Sequence, residues 1–507
     1  MNSSSREAFL ALIAPIGIDM KQVISVLSEK CQQVEYKPNV IKLTDVLSDL
    51  GKVSEFHDDE VGRYKDYISA GDKLCEDSGR GDALALLGVA SLMKGGKEKR
   101  IAAANTRRLN IFRQIKRLDE YYTLERIYGR NIIFVGCYAP KDSRVGYLVD
   151  RQRIGDRTSN SARLQSRALE IISIDEDESD KEFGQKVIDC YPKSDFIIDC
   201  TSLKTLEDSC DRLFKIYFGH PFTSPTRDEY ASYIANAAAY RSLDLSRQVG
   251  AAIFGTDGEV ISMGCNEVPA PGGGTYWCDQ TDDNRDYVLG FDSNQRVKED
   301  LARDALDKLR RAGWLSQEQS VADLSDLVES AFARGDRSEE KKDGPWRSAM
   351  ISDIIEYGRM VHAEMNAITD AARFRRSTSG ATMYCTTMPC HMCTKLIISS
   401  GIKRVVYVQP YVKSLTGELF KDSVVFEGPE TDQRVNFVSL KGVTPAGFKR
   451  AFSKSYKRKD KRGNAISWDR SNAEPNFLST HPYYVELEID ALNELKEITV
   501  ASGPPRG

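Results

Sequence analysis

The sequence predicts an α/β protein of two domains, on three observations. Its 507 residues exceed what a single hydrophobic core accommodates. Through the first half, short β-rich runs alternate with longer helical stretches, the pattern of a parallel sheet covered on both faces. Near His220 the pattern changes to a hairpin-led unit with strands and helices of its own. The expected domains are 1–220 and 221–507.

In the first domain, residues 8–14 read as a buried strand. The turn Pro15-Ile16-Gly17 and a helical pattern from Asp19 follow. Residues 131–136 and 194–198 are further strands, and the long segment 106–128 between them reads as an amphipathic helical stretch. In the second domain, residues 225–245 are rich in Ala and Tyr, with Thr226 and Asp228 placed to start a helix. Residues 250–254 and 259–265 form a hairpin around the turn Asp257-Gly258. Strands follow at 381–386 and 403–409. The strongly charged segment 279–346 interrupts this unit, as a solvated helical hairpin or as a lid or oligomer contact. The chain ends in a basic extension assigned to the second domain.

Composition narrows the function classes. Hydrophobic residues make up 41% and charged residues 29%, an ordinary globular balance. The net charge of −4 argues against an overall basic nucleic-acid binder but leaves room for a local patch. No apolar run approaches the ~20 residues that cross a bilayer, so no membrane association is expected. The apolar stretch near the amino terminus lacks a basic lead, unlike a signal peptide. Eleven cysteines without small-domain spacing fit a reduced, cytoplasmic protein.

The chemistry is concentrated in two short motifs. Val361-His362-Ala363-Glu364 stands ahead of Met388-Pro389-Cys390-His391-Met392-Cys393. One His and a Cys-x-x-Cys supply three zinc ligands, His362, Cys390 and Cys393, and leave the fourth tetrahedral position for water. Zn²⁺ brings the pKa of such a water towards ~7. Glu364, two residues beyond His362, is placed to move protons rather than to bind metal. Helical patterns follow both motifs, so thiolates there would sit at helix amino termini, where backbone dipoles favour negative charge. The H-x-E…P-C-x-x-C pattern is the zinc-deaminase fingerprint. His391 reads as a rim or packing residue, because a fourth protein ligand would displace the water. Cys265 and Cys278 are weak grounds for a second zinc.

The stretch Arg241-Ser242 through Leu245-Ser246-Arg247-Gln248-Val249-Gly250-Ala251-Ala252, then Gly264-Cys265-Asn266-Glu267-Val268-Pro269, resembles the deoxycytidylate deaminase family. The cluster Tyr411, Lys413, Ser414, Asp422-Ser423 resembles that family's carboxy-terminal part. The resemblance covers roughly 225–425 and implies a cytidine-deaminase-like α/β/α sandwich. It also implies that Asn266 contacts the nucleotide. Arg247 is a further substrate-binding candidate. Arg359 would meet a nucleotide phosphate or a neighbouring subunit, or form a surface ion pair.

The whole chain is similar to bacterial anti-phage deoxycytidylate (dCMP/dCTP) deaminases with an amino-terminal P-loop kinase-like domain. The matching features are the strand and turn at 12–19, Ile115-Lys116-Arg117, and Ile174 to Glu178 followed by Gly184-Gln185. The resemblance implies a hydrolase that converts dCTP or dCMP to dUTP or dUMP and depletes the deoxycytidine nucleotide pool against phage. It also suggests a homo-oligomer. A phosphate loop needs G-x-x-x-x-G-K-[ST], whereas this chain offers Ala14-Pro15-Ile16-Gly17-Ile18-Asp19-Met20-Lys21. The expected first domain is therefore degenerate, without catalytic phosphoryl transfer or an assigned cofactor site, and keeps either a residual nucleotide-binding or regulatory role or a purely structural one. Residues 449–462, with eight basic side chains beside Phe452 and Tyr456, could hold an inhibitory RNA or be a solvated surface. A polynucleotide-editing deaminase, acting on a tRNA or single-stranded DNA base, is the alternative with the same chemistry.

Overall fold

The computed structural model describes residues 6–49, 51–53, 59–155, 160–178, 181–335, 343–411, 414–429, 433–454, 457–477 and 483–501. They contain strands β1 (Ala8–Ile13), β2 (Lys37–Lys42), β3 (Arg108–Ile115), β4 (Ile132–Tyr138), β5 (Phe196–Asp199), β6 (Gly250–Phe254), β7 (Val260–Cys265), β8 (Thr382–Thr387), β9 (Arg404–Gln409), β10 (Val424–Phe426), β11 (Val435–Ser439) and β12 (Gly442–Val443). The chain divides into two compact units, Met1–Tyr233 with Ser439–Gly507, and Ile234–Val438.

The first unit is built on a six-stranded sheet of order β12-β5-β4-β1-β3-β2. The pairs among β1 to β5 are parallel, and β12 runs antiparallel to β5. β1 is buried along its whole length. Successive side chains of a strand point to opposite faces. Ala8, Leu10 and Leu12 accordingly join one core with helices Met20–Gln33 and Leu203–Tyr217. Phe9, Ala11 and Ile13 join the other with helix Leu118–Tyr128. The sheet is thus covered on both sides, as the alternating pattern predicts.

Two expectations are corrected here. The stretch 106–128 is not helical throughout: β3 occupies Arg108–Ile115, and the helix begins only at Leu118. A strand between two neighbours is buried on both faces, so Leu109, Ile111 and Phe112, with the buried Asn110 among them, show no alternation that would distinguish strand from helix. The carboxy-terminal segment, expected to extend the second domain, packs on the first sheet instead. β12 pairs with the edge of β5, Ala451 and Phe477 enter one core, and Tyr484, Val485 and Ala491 enter the other. A buried ion cluster fixes this return. Arg100 donates to Glu7 at 2.7 Å and to both oxygens of Glu488 at 2.8 and 2.7 Å, and Tyr484 donates to Glu7 at 3.0 Å. With Arg100, Glu7 and Glu488 all essentially inaccessible to solvent, each charge requires its partners.

The segments 12–19, 115–117 and 174–178 meet at the carboxyl end of β1. The Ile16 N–H donates to one oxygen of Asp175 at 2.7 Å. Lys116 Nζ donates to the other at 2.6 Å and to the Ala14 carbonyl at 2.7 Å. Gly17 takes φ +94°, and a Cβ there would lie 2.6 Å from Cβ of Arg144, so only glycine fits.

The second unit carries a sheet of order β10-β11-β9-β8-β6-β7. β6 and β7 form the expected antiparallel hairpin, β8 joins β6 antiparallel, and β9 joins β8 in parallel. Helix Ala363–Arg373 lies close on β7, because a Cβ on Gly264 would stand 2.3 Å from the Ala363 carbonyl oxygen. Helices Ser293–Arg311, Gln317–Val321 and Leu324–Phe332 make up much of the charged insertion. Among the described residues, no helix is long and apolar enough to cross a membrane.

Candidate metal centre and active site

Each motif sits at the start of a helix. His362 is the N-cap of helix Ala363–Arg373, with extended backbone at φ −63° and ψ 154°. Cys390 is the N-cap of helix His391–Ser399, reached from β8. An N-cap projects its side chain ahead of the helix, where the first backbone N–H groups have no intrahelical partner. Glu364 and Cys393 lie in the first turns of their helices, both buried. The Ser414 hydroxyl donates to the Pro389 carbonyl at 3.0 Å and steadies the turn into Cys390.

His362 Nδ1 stands 3.4 Å from Cys390 Sγ and 3.3 Å from Cys393 Sγ, and Cys393 Sγ lies 3.3 Å from Glu364 Oε2. The three donor atoms of His362, Cys390 and Cys393 lie within 4.8 Å of one another. Ligands at about 2.0 Å (nitrogen) and about 2.3 Å (sulfur) on a tetrahedron stand about 3.5 Å apart, so the donor set fits zinc in spacing and chemistry. The hydrogen bond from Cys393, working against burial and aided by His362, brings the Cys390 thiol down to about 4. Burial alone would lower His362, but Cys390 beside it outweighs burial and raises it. Burial, then the charge of Cys390, pushes the Glu364 carboxyl up. Among the described residues no other group of three such donors gathers in this way, and Cys265 and Cys278 join none.

The group opens into a cavity of about 190 Å³. Asn266 lines it and uses its amide on the neighbouring loop. Its oxygen accepts from Val249 N–H at 2.7 Å, and its nitrogen donates to Asp244 at 3.0 Å and to the Arg247 carbonyl at 2.8 Å. Arg247 also lines the cavity, its guanidinium 5.2 Å from the centre of the Tyr411 ring. Arg359 is not among the lining residues; it pairs with Asp286 at 2.9 Å. His391 faces Glu356 at 3.7 Å. Lys413, named with Tyr411 in the sequence, lies outside the described residues. Sequence reasoning missed Asp244, Asp286, Asp292 and Asn294, which also line the cavity. The last three come from the charged insertion, and no local motif marks them.

Residues 225–409 match the cytidine and deoxycytidylate deaminase zinc-binding region. The chain carries a deoxycytidylate-deaminase-type domain. It is 53% identical over 57 residues to the deoxycytidylate deaminase of Enterobacteria phage T2, 11% of this chain and 30% of that protein. It is 42% identical over 101 residues to ComE operon protein 2 of Bacillus subtilis, 20% of this chain and 51% of that protein. With the human deoxycytidylate deaminase it shares 37% identity over 65 residues, 13% of this chain and 35% of that protein. The chain thus spans between 30% and 51% of the length of these relatives. The dCMP deaminase of cyanophage S-TIM5, solved with dCMP and dUMP, aligns with 43% of this chain and 100% of its own at 16% identity, with a TM-score of 0.23. The cofactor of the deaminase-type domain is zinc, and the His/Cys/Cys group fits it in spacing and chemistry.

Proposed function

We propose that this chain hydrolytically deaminates free deoxycytidine nucleotides, dCMP or dCTP, to the deoxyuridine nucleotides. The observation that carries this reading is a buried carboxyl, Glu364, beside the His362, Cys390 and Cys393 group at the base of a cavity lined by Asn266 and Arg247. His362, Cys390 and Cys393 hold the metal. Zinc, when bound, supplies a Lewis acid that makes water nucleophilic at neutral pH. Glu364 takes a proton from the attacking water, delivers it to ring N3, and carries the second proton to the amine that leaves as ammonia. Its raised carboxyl pKa suits a group that both accepts and returns a proton. Asn266 fixes the loop 244–249 that presents Arg247 to a substrate phosphate.

The deoxycytidylate deaminases of phages T2 and T4 and of Homo sapiens match part of this chain, which supports a deoxycytidine nucleotide as substrate. We infer a role in lowering the deoxycytidine nucleotide pool during phage infection, from the resemblance of the two-part chain to anti-phage deaminases. The first unit is then a degenerate P-loop kinase-like domain with a regulatory or structural task. Its strand order, with β1 between β3 and β4, supports that reading. The basic residues Lys457, Arg458, Lys459 and Lys461 line one groove with Phe222 and are the place for an inhibitory RNA. A homo-oligomer is expected, and sedimentation of the purified chain tests it.

Ammonia release from dCMP, dCTP, CMP and CTP tests the activity. Turnover of a deoxycytidine nucleotide is the expected result, and its absence with all four refutes the reading. The triple variant Lys457→Glu, Arg458→Glu, Lys459→Glu should copurify with less RNA than the wild type; equal RNA removes the RNA partner.

A further inference from the structure

We infer that the charged insertion is a wall of the active site that restricts it to mononucleotides, with Asp286 and Asn294 as positioning residues. This rests on the deaminase reading above and names the substrate class that the same site refuses.

The insertion is fastened to both segments that carry the site. Two consecutive residues do this from opposite ends of one backbone step. Arg285, 2% exposed, approaches the fully buried Glu267 at 3.6 Å, next in sequence to Asn266. Asp286 takes Arg359 at 2.9 Å, three residues before His362. Glu267 and Val361 in turn exchange backbone hydrogen bonds at 3.2 and 3.1 Å, so the two anchor points belong to one bridged pair of segments.

A second fastening lies in the next helix, Ser293–Arg311. The Asn294 amide donates to the Ile354 carbonyl at 2.8 Å, and its oxygen accepts from Tyr357 N–H at 3.2 Å. Lys298 donates to the Ser352 carbonyl at 2.8 Å. The start of helix Ser293–Arg311 is thereby stitched to the segment 352–359 that runs into the metal group. Asp286, Asp292 and Asn294 stand in the cavity wall as a result.

Charge decides what that wall admits. Four carboxylates line the cavity, Asp244, Asp286, Asp292 and Glu364, of which Asp286 is paired with Arg359, and Arg247 is the one Lys or Arg side chain among the lining residues. Grooves that track a nucleic-acid strand are positive, because each successive phosphate must be met. A carboxylate rim repels the phosphates on either side of a target base. A mononucleotide brings phosphate at one end alone, where the single guanidinium over Tyr411 can meet it.

The test uses the zinc-loaded full chain with dCMP, dCTP and a short single-stranded deoxycytidine oligonucleotide. The wild type should release ammonia from a mononucleotide and none from the oligonucleotide. Asp286→Ala should raise KM for the mononucleotide about tenfold, the worth of one charge-assisted hydrogen bond, and Asn294→Ala, which removes two neutral ones, by a similar factor, with kcat changed much less. Oligonucleotide deamination should become measurable in Asp286→Ala. The double variant Asp286→Arg, Arg359→Asp rebuilds the pair in reverse and should recover KM. Zinc content and melting temperature identify any variant that has lost its fold, in which case the conservative Asp286→Asn replaces it. Wild-type turnover of the oligonucleotide at the mononucleotide rate overturns the inference while leaving a deaminase. So does an unchanged KM in both single variants. No ammonia from any substrate instead removes the deaminase reading on which the inference rests.

Discussion

The ends of two strands invite comparison, one in each unit, since each feeds a turn rich in polar and charged groups. After β1, the backbone N–H of Ile16 is filled by the protein's own carboxylate, Asp175, which Lys116 neutralises from the other side. After β8, Cys390, Cys393, His362 and Glu364 crowd together, with the Cys390 thiol held low and the Glu364 carboxyl pushed up. The first arrangement is complete without a ligand and holds the fold. The second gathers donors whose spacing and chemistry fit a metal, beside a buried carboxyl on a cavity. Satisfied polar groups mark architecture, and a His/Cys/Cys donor set beside a buried carboxyl at a cavity marks chemistry.

Removing zinc by chelation is the harshest test of that contrast. Ammonia release should vanish, zinc should restore it, and the second unit should lose the stabilisation that metal binding supplies to its folded form. If the apoprotein keeps both activity and melting temperature, the two strand ends do not differ as argued. Next in size, Glu364→Gln should lower kcat by about 10²–10⁴-fold, the usual worth of a general acid–base. Its zinc, measured by metal analysis, should stay at the wild-type level. Loss of the metal instead would make Glu364 a structural neighbour of the ligands.

The first unit offers the converse. Asp175→Ala leaves Lys116 buried without its counter-charge, which should cost about 3–5 kcal/mol in denaturant unfolding, while zinc content is unchanged. A shift within about 0.5 kcal/mol, the range of an ordinary surface substitution, would show that the pair holds nothing. Smallest of the four, Asn266→Ala unpairs Val249 N–H and the Arg247 carbonyl. Both groups are only part-buried, so each costs less than the ~1–3 kcal/mol of a fully buried one. The expected signature is a KM raised more than kcat is lowered, because the loop bearing Arg247 loosens while Glu364 is untouched.

The sequence by itself marked out the residues of the candidate site. His362, Glu364, Cys390 and Cys393 are legible because ligand and proton carrier lie within two short motifs, each at a helix start that local pattern announces. The β6–β7 hairpin and buried strands such as β1 are legible for the same reason: turn residues and runs of apolar side chains act over a few positions. Tertiary structure alone decided what surrounds the chemistry. β3 lay inside a segment that reads as helical, since burial on both faces erases the period that would mark a strand. The return of β12 and Tyr484 to the first sheet depends on pairing across hundreds of residues, with Arg100 and Glu488 meeting in a buried cluster. Asp286, Asp292 and Asn294 reach the cavity because the insertion folds back onto Glu267 and Arg359. Such contacts join residues far apart in the chain, and no local pattern encodes which distant partner a charged side chain will find.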